Sequence, residues 1–497
     1  MRYLRVEALN LSNTLFDTDK MNVIRGGSLM LRDAILSASV KLCALHISEV
    51  RVGAEAAVFR LNSDQPTETE VISSIRSILA NKAPHFIFAV VVANAENDAD
   101  GIARTAAVAR WQQMRQLRVI PDRPAAAAEI TGICEFTRVR AANKAGNSSV
   151  TGTLCTSARK RAENGRELRQ TFYEQEADAE VAKGLNFSSD LNDLSISGPY
   201  PTVDGKMAVL SIDGNSFGKT VAALTTEKAS AFDKHMKGLR RQLLTRVLTF
   251  MKQKEAHSGE RRRDNRLRLE ILLWAGDEFK LILPAWLGVP VLHQIFDEIR
   301  NNWRTGPDSA DSPLTVSAGV LMCHHKMPIV RALELADSLQ QSAKHAAKPE
   351  GRSLRNAWDY LVLESLDYPA AMRVDDYWKR RLGNAKPPLA LLPCLQYDHA
   401  RSELEQALSE SDSRRKVYAS AQLLANPGAM NRVETEEWQK NPAAAKVLAA
   451  MRLLLPASAE EPAQMHWLRL RELWDYLLPR PGLQPEPAPI STSETPT

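Results

Sequence analysis

Cysteine is scarce in this chain. Cys43, Cys134, Cys155, Cys323 and Cys394 are spread across 497 residues. An odd, dispersed set excludes a disulfide framework and fits a reducing cytoplasm. It also argues against bound zinc: a closed site takes four ligands, usually as close pairs, and Cys134 and Cys155 each stand alone without a neighbouring His. No apolar run approaches the roughly 18 residues that span a membrane. The first residues, Met1-Arg-Tyr-Leu-Arg-Val-Glu7, lack the apolar core of a signal peptide. There is no Gly-x-Ser-x-Gly and no Ser-His-Asp order, so nucleophilic hydrolysis has no candidate. No fixed-period repeat is present. Net charge is +5, too mild over this length to prove a nucleic-acid partner. The basic residues do cluster, in Arg159-Lys160-Arg161 and in Arg261-Arg262-Arg263 through Arg266 and Arg268.

What is present is ordinary globular composition, 44% hydrophobic and 25% charged. The length exceeds what one core supports and predicts about two to four domains. The first segment reads strand, helix, strand, helix. Val40–Ile47 and Ala54–Leu61 are strand-like, and Thr67-Glu-Thr-Glu70 is a capping-box start for a helix to Lys82. His85–Ala93 is a nearly continuous apolar strand, and a long helix follows from Asp98 to Leu117. After a Pro- and Ala-rich linker at 121–128 comes a polar, irregular region to about residue 200. A second α/β unit starts near Gly205. Its strands are expected at 207–212, 268–275, 279–283 and 313–322, and a charged loop spans Ala256–Asn265. Ser402–Leu478 has helical spacing, and Pro479–Thr497 has the composition of a disordered tail. The fold class is therefore α+β: two ferredoxin-like domains (1–125 and 205–355), an irregular insert (126–204), a C-terminal helical bundle (356–478) and a tail (479–497).

Two stretches carry chemistry. The apolar run Met207–Ile212 ends in Asp213, followed by Gly214-Asn-Ser-Phe-Gly-Lys219. The run Leu269–Ala275 breaks at Gly276, delivers Asp277 and Glu278, and resumes as Phe279–Leu283. A strand-end carboxylate beside hairpin-tip carboxylates suits a two-metal phosphoryl-transfer site, in which cations about 3.5–4 Å apart share anionic ligands. Mg²⁺ takes one or two protein carboxylates and fills its shell with water and phosphate. Asp213 and Asp277 are the expected ligands of Mg²⁺ or Mn²⁺. Glu278 is a third catalytic candidate, although adjacent strand residues face opposite ways unless a bulge intervenes. Gly214, Asn215, Ser216, Phe217, Gly218 and Gly276 are expected to line a nucleotide, with backbone N–H groups at the helix start holding phosphates. Lys219 and Lys344 are point charges for a triphosphate, and Arg352 is a weaker candidate of that kind. Each reading has a plain counterpart: Asp-Gly-Asn-Ser is good turn chemistry by itself, and most lysines are merely solvated.

Asp213-Gly-Asn-Ser-Phe-Gly218 with Ala275-Gly-Asp-Glu-Phe279 resembles the palm-type nucleotide cyclases and polymerases. Two branches compare: the GGDEF diguanylate cyclases and the large polymerase/cyclase subunit of type III CRISPR complexes. Pro313-Leu-Thr-Val-Ser-Ala-Gly-Val320 looks like the strand after the hairpin, and Ala332-Leu-Glu-Leu-Ala336 with Ala343-Lys344 like the last palm helix. The CRISPR branch fits the layout better. Phe16-Asp-Thr-Asp-Lys20 with Ile24-Arg-Gly-Gly-Ser28 is similar to the start of its inactive first palm. Cys134 and Cys155 stand where that family places a zinc-binding insert, which makes the insert a degenerate zinc-finger-like segment. No His-Asp nuclease pair precedes the first palm. The first palm also shows no Gly-Asp-Asp or Gly-Asp-Glu.

The GGDEF branch fails where it reads guanine. Its amide position is Val221 here, and its Arg-x-x-Asp motif is replaced by Arg266-Leu-Arg-Leu269. The resemblance thus implies ATP rather than GTP, a pyrophosphate-releasing nucleotidyltransferase making a cyclic oligonucleotide signal in antiviral defence, and a cytoplasmic location. RNA or subunits of a protein complex are the partners it implies; a homo-oligomer stays open, and no membrane partner is expected. The competing reading is a non-catalytic nucleotide sensor or scaffold of a CRISPR-like complex, for which Ala275 in place of the first glycine leaves room.

Overall fold

The computed structural model describes residues 1–53, 55–61, 66–115, 130–143, 148–197, 199–222, 226–257, 266–306, 311–348, 353–364, 374–382, 388–409, 414–425 and 432–480. The first domain comprises β1 (Arg2–Leu9), α1 (Leu11–Thr14), α2 (Met21–Ala44), β2 (Ser48–Val52), β3 (Ala56–Leu61), α3 (Glu68–Lys82), β4 (Ile87–Asn94) and α4 (Asp98–Arg115). Its antiparallel sheet runs β2-β3-β1-β4, the ferredoxin-like order. Alternation along β1 sends Leu4, Val6 and Ala8 into the main core with α2 and α3. Tyr3 and Leu9 join small clusters on the other face, with residues of β4 and α4. Thr67 and Glu70 form the expected capping box. The expected strand at Val40–Ile47 is corrected: α2 continues through Ala44, because Ile35, Ala38 and Leu42 lie at helical spacing on the core face.

The connecting segment holds β5 (Ile130–Ile133), β6 (Ala141–Asn143), α5 (Thr156–Glu176), α6 (Ala179–Ala182), β7 (Asn186–Phe187) and α7 (Leu191–Ser195). The basic run at its centre is not a surface patch. Arg161 is fully buried and donates to the Thr14 carbonyl and the Asp17 carboxylate, both at 2.7 Å. Arg159 is buried too, over the Asn143 and Leu154 carbonyls. Asp17 also pairs with Arg140 at 2.8 Å. The Phe16–Lys20 stretch thus fastens the connecting segment to the first domain. Cys134 and Cys155, apart in sequence, are adjacent and fully buried. The Cys134 thiol is lowered to about 4, chiefly by a hydrogen bond with Cys155 and against the effect of burial.

The second domain repeats the first. It comprises β8 (Lys206–Gly214), α8 (Phe217–Ala222), α9 (Thr226–His257), β9 (Arg266–Leu267), β10 (Glu270–Ala275), β11 (Glu278–Pro284), α10 (Ala285–Asn302), β12 (Val316–His324), α11 (Ile329–Ala346) and β13 (Ala357–Val362). Its sheet runs β10-β11-β8-β12-β13, so its first four strands have the same order as in the first domain. The extra edge strand, β13, pairs parallel with β12 and lies beyond the boundary expected at residue 355. The helices α12 (Val374–Leu382), α13 (Tyr397–Ser409), α14 (Arg414–Ala425), α15 (Arg432–Gln439), α16 (Pro442–Leu454) and α17 (Ala463–Leu477) complete an α+β molecule. Among the described residues no helix is long and apolar enough to cross a membrane.

Candidate active site

Two neighbouring segments of the second sheet bring the sequence candidates together. Asp213 is the penultimate residue of β8. Asp277 sits in the two-residue turn between β10 and β11, where Ala275 pairs with Glu278. Gly276 takes φ 56° at the first turn position, a conformation glycine adopts without the clash of a Cβ. The turn has a rigid base: Trp274 and Phe279 are buried with ring centroids 4.4 Å apart. From behind, the buried Arg240 of α9 donates to the Gly276 carbonyl at 3.2 Å.

Strand β11 pairs with β8 in the register Phe279↔Ile212, which carries the hairpin tip alongside the end of β8. The Asp277 Oδ2 atom lies 2.5 Å from where a Cβ on Gly214 would sit, so only glycine admits this approach. Asp277 is held above the ordinary carboxylate range, first by burial and then by the Asp213 charge; Arg51 and Lys344 act the other way. Asp213 accepts hydrogen bonds from Lys344 and, at 3.5 Å, from Gln340, both on α11. Glu278 opens β11 with its side chain half exposed. Its carboxyl is pushed up to about 7 by desolvation, opposed by Lys280 and reinforced by Glu55, Asp213 and Asp337.

The other sequence candidates divide. Asn215 is buried: its amide donates to the Thr315 hydroxyl and the Arg355 carbonyl, both at 3.1 Å, and accepts from Ser317 at 2.7 Å. Its side chain therefore ties the end of β8 to β12, and the expectation that it lines a nucleotide is corrected. Phe217 is likewise core, packed over Gly214 and facing Phe232 at 6.4 Å. Ser216 adopts φ 62°, and its carbonyl accepts from the Lys219 and Thr220 amides. Gly218 and Lys219 are exposed at the start of α8. Lys344, expected on a triphosphate, is paired with Asp213. Arg352 and most of the Arg-rich loop lie outside the described residues.

Sequence reasoning missed Lys280, Asp337, Arg51 and Glu55. Lys280 bridges Asp337 at 2.8 Å, and the Asp337 carboxylate also accepts from Ser211 at 2.6 Å. Arg51 and Glu55 belong to the first domain, whose β2–β3 hairpin reaches the second domain's site. The duplicated strand order is the signal that could have found them. Glu7 lies on β1 opposite Ala56, and Glu55 lies in the β2–β3 connection with its carbonyl accepting from the Ala8 amide at 2.8 Å. These two glutamates hold the places in the first sheet that Asp213 and Asp277 hold in the second.

The donor chemistry of the Asp213–Asp277 pair fits a hard divalent cation. Two carboxylates meet Mg²⁺'s usual demand on protein, and a cation would relieve the Asp213 repulsion that, after burial, raises Asp277. Among the described residues no group of three or more His, Cys, Asp or Glu is arranged to hold one ion. A cation here would draw on the pair, with Glu278 beside it.

Residues 206–352 match the second palm domain of Cas10/Cmr2. No curated protein matches the sequence. Among solved structures, the fold is similar to the Csm1–Csm4 subcomplex of the type III-A CRISPR–Csm interference complex, with TM-score 0.50 and 12% identity over 96% of this chain and 70% of that one. The Csm1–Csm4 cassette in complex with one ATP gives 0.49 and 12% over 96% and 70%. Csm1 in T. onnurineus gives 0.46 and 11% over 91% and 69%. The Asp213–Asp277 pair thus lies within the stretch, residues 206–352, that matches the Cas10/Cmr2 second palm domain, and the first sheet repeats that stretch's strand order.

Proposed function

We propose that the chain is a nucleotidyltransferase that joins ATP into a cyclic oligonucleotide messenger in antiviral defence. The observation that carries this reading is the meeting of Asp213 and Asp277 against Gly214 at one end of the palm sheet. In the proposed step, the 3′-oxygen of one nucleotide attacks the α-phosphate of another in line. A new P–O bond forms, the α–β bridge breaks, pyrophosphate leaves and the hydroxyl proton passes to solvent; an intramolecular repeat closes the ring. Asp213 and Asp277 would hold Mg²⁺ or Mn²⁺, which when bound supplies Lewis-acid activation of the hydroxyl and neutralises the triphosphate. Asp277 must be ionised to act, so its raised pKa makes the site more competent as pH rises. Lys344 keeps Asp213 oriented and, released from it, becomes available to phosphate. Lys280 steadies the anions beside the hairpin. The contribution of the chain is positioning and charge, with no covalent intermediate.

Val221 at the position that reads guanine in the GGDEF branch supports adenine as the base. The similarity to the Csm1–Csm4 subcomplex supports a protein-complex subunit as partner. The test is direct. Full-length protein with ATP and Mn²⁺ releases pyrophosphate and a cyclic oligoadenylate, and Asp277→Ala does neither; equal product from the variant overturns the assignment. A second reading, a nucleotide-binding scaffold without turnover, is favoured by Ala275 in place of glycine. Calorimetry with ATP and Mg²⁺ followed by product analysis separates the two, since a scaffold binds and leaves ATP intact.

A further inference from the structure

A cavity of about 780 Å³ lies away from the carboxylate pair. It lies where the palm sheet meets the C-terminal helices, lined by Lys206 at the start of β8, the end of β13, and side chains of α12, α14 and α17. Lys206 and Asp213 stand at opposite ends of one strand, about 23 Å apart at the usual rise per residue. The volume suits a small organic ligand.

Its charges are unevenly matched. Three carboxylates face it, and each already holds one cation, although Glu472 Oε1 and Asp475 Oδ1 accept no hydrogen bond among the described residues. Glu364 is bound by Lys206 at 2.6 Å and by the Tyr476 hydroxyl at 2.9 Å. Asp475 is bound by Arg414 at 2.7 Å. Glu472, almost wholly buried, takes Arg381 at 3.0 Å and the Tyr360 hydroxyl at 3.1 Å. Arg471 lines the same cavity, half-buried, and makes no ion pair or hydrogen bond among the described residues. Its guanidinium is lowered from its usual range by burial first and by the neighbouring Arg381 charge next, with Glu472, Tyr418 and Tyr377 acting the other way. A partly desolvated cation beside another cation is costly until an anion joins it.

Two aromatic faces accompany this unmatched charge. Tyr377 packs under the Arg381 guanidinium, 5.6 Å from its ring centroid, and donates to the Val362 carbonyl at 3.5 Å. Tyr418 is 40% exposed at the cavity, with Arg414 5.7 Å over its ring. An anion alone needs no such faces. An arginine without an ion pair among the described residues, next to a tyrosine ring that is covered by Arg414 on one side and still 40% exposed, suits a phosphate attached to a base, because every base offers a π-face for stacking.

We propose that this cavity binds a phosphorylated nucleoside, its phosphate on Arg471 and its base on Tyr418, as a second site remote from the carboxylate pair. The ligand chemistry is shared by a free nucleotide and by one residue of single-stranded RNA. Because β8 runs from this cavity to Asp213, and β13 flanks β12 in the same sheet, an occupant here contacts the scaffold of the palm.

The test uses full-length Asp277→Ala protein in EDTA, so that binding is read without palm chemistry and stands apart from the proposed reaction. ATP, AMP and inorganic phosphate are titrated by calorimetry, and a fluorescein-labelled single-stranded RNA hexamer by anisotropy. At least one nucleoside-bearing probe binds, and Arg471→Ala and Tyr418→Ala each weaken it about tenfold. Tyr418 is exposed enough that its truncation spares the core, and thermal melts of both variants check folding. Loss confined to ATP and AMP identifies a free nucleotide, and loss confined to RNA identifies RNA; both support the site. The proposal is overturned by no binding of any probe, by unchanged affinity in either variant, or by inorganic phosphate binding as tightly as AMP.

Discussion

Glu278 is where the two palms meet electrostatically. Its carboxyl is raised from the ordinary 4.5 to about 7, with Glu55 of the first domain among the anions that raise it. A carboxyl raised on folding makes the folded state hold a proton that the unfolded chain releases. The associated stability is full below 4.5 and is lost as pH climbs through about 7. Thermal midpoints followed without divalent cations from about pH 4 to about pH 8 should therefore fall across this window. Glu278→Gln should flatten that fall, and Glu55→Gln, by removing a like charge, should move it to lower pH. Superimposable curves for all three proteins would remove Glu278 from the site's electrostatics. At this scale Asp213 and Asp277 were legible because a carboxylate ending an apolar run is a local pattern. The work of Asn215 was not, since its partners Thr315, Ser317 and Arg355 are remote in sequence. Arg51 and Glu55 were hidden for a similar reason: they act on another domain's hairpin.

Elements were legible where period and caps agreed, as at the Thr67 capping box. They were misread where a helix end is apolar on several sides: residues 40–44 look extended locally, yet Leu42 continues the buried stripe of α2. The glycines of Ile24–Ser28, which the resemblance assigned to the start of a palm, have a packing reason. α2 crosses α5 so closely that a Cβ on Gly26 would lie 1.6 Å from the Arg161 carbonyl oxygen and 2.8 Å from the Gly165 amide nitrogen. Both obstacles are backbone, so a methyl group can be accommodated only by separating the helices. Gly26→Ala should cost about 1–3 kcal/mol or more, read as a lower urea midpoint. Gly218→Ala, where nothing lies within 4 Å, should leave stability unchanged or slightly higher, because alanine is the better helix former by about 1 kcal/mol. Equal losses at the two positions would mean that general helix propensity, and not the crossing, decides.

The whole molecule is held by a contact that no local motif announces. Glu270 of β10 is almost completely buried and takes Arg25 of α2 at 2.5 Å and Arg169 of α5 at 3.0 Å. One carboxylate thereby joins the first palm, the connecting segment and the second palm, and it does so on the strand that leads into the Asp277 turn. The order of these parts could be read from the chain; their docking could not, because Arg25, Arg169 and Glu270 look like ordinary charged residues until three separate segments converge. Each arginine has a further partner: Arg25 also donates to the Gly165 carbonyl and Arg169 to the Ser188 carbonyl, both at 3.0 Å. Removing the carboxylate leaves two buried guanidinium groups facing each other without an anion, a loss of about 3–5 kcal/mol. Glu270→Ala should therefore unfold at markedly lower urea. A triple replacement by apolar residues at 25, 169 and 270 should recover much of the loss, since it removes the unpaired charges as well. If Glu270→Ala keeps the parent's urea midpoint, the palms are held by apolar packing alone, and the hairpin that presents Asp277 owes nothing to this buried pairing.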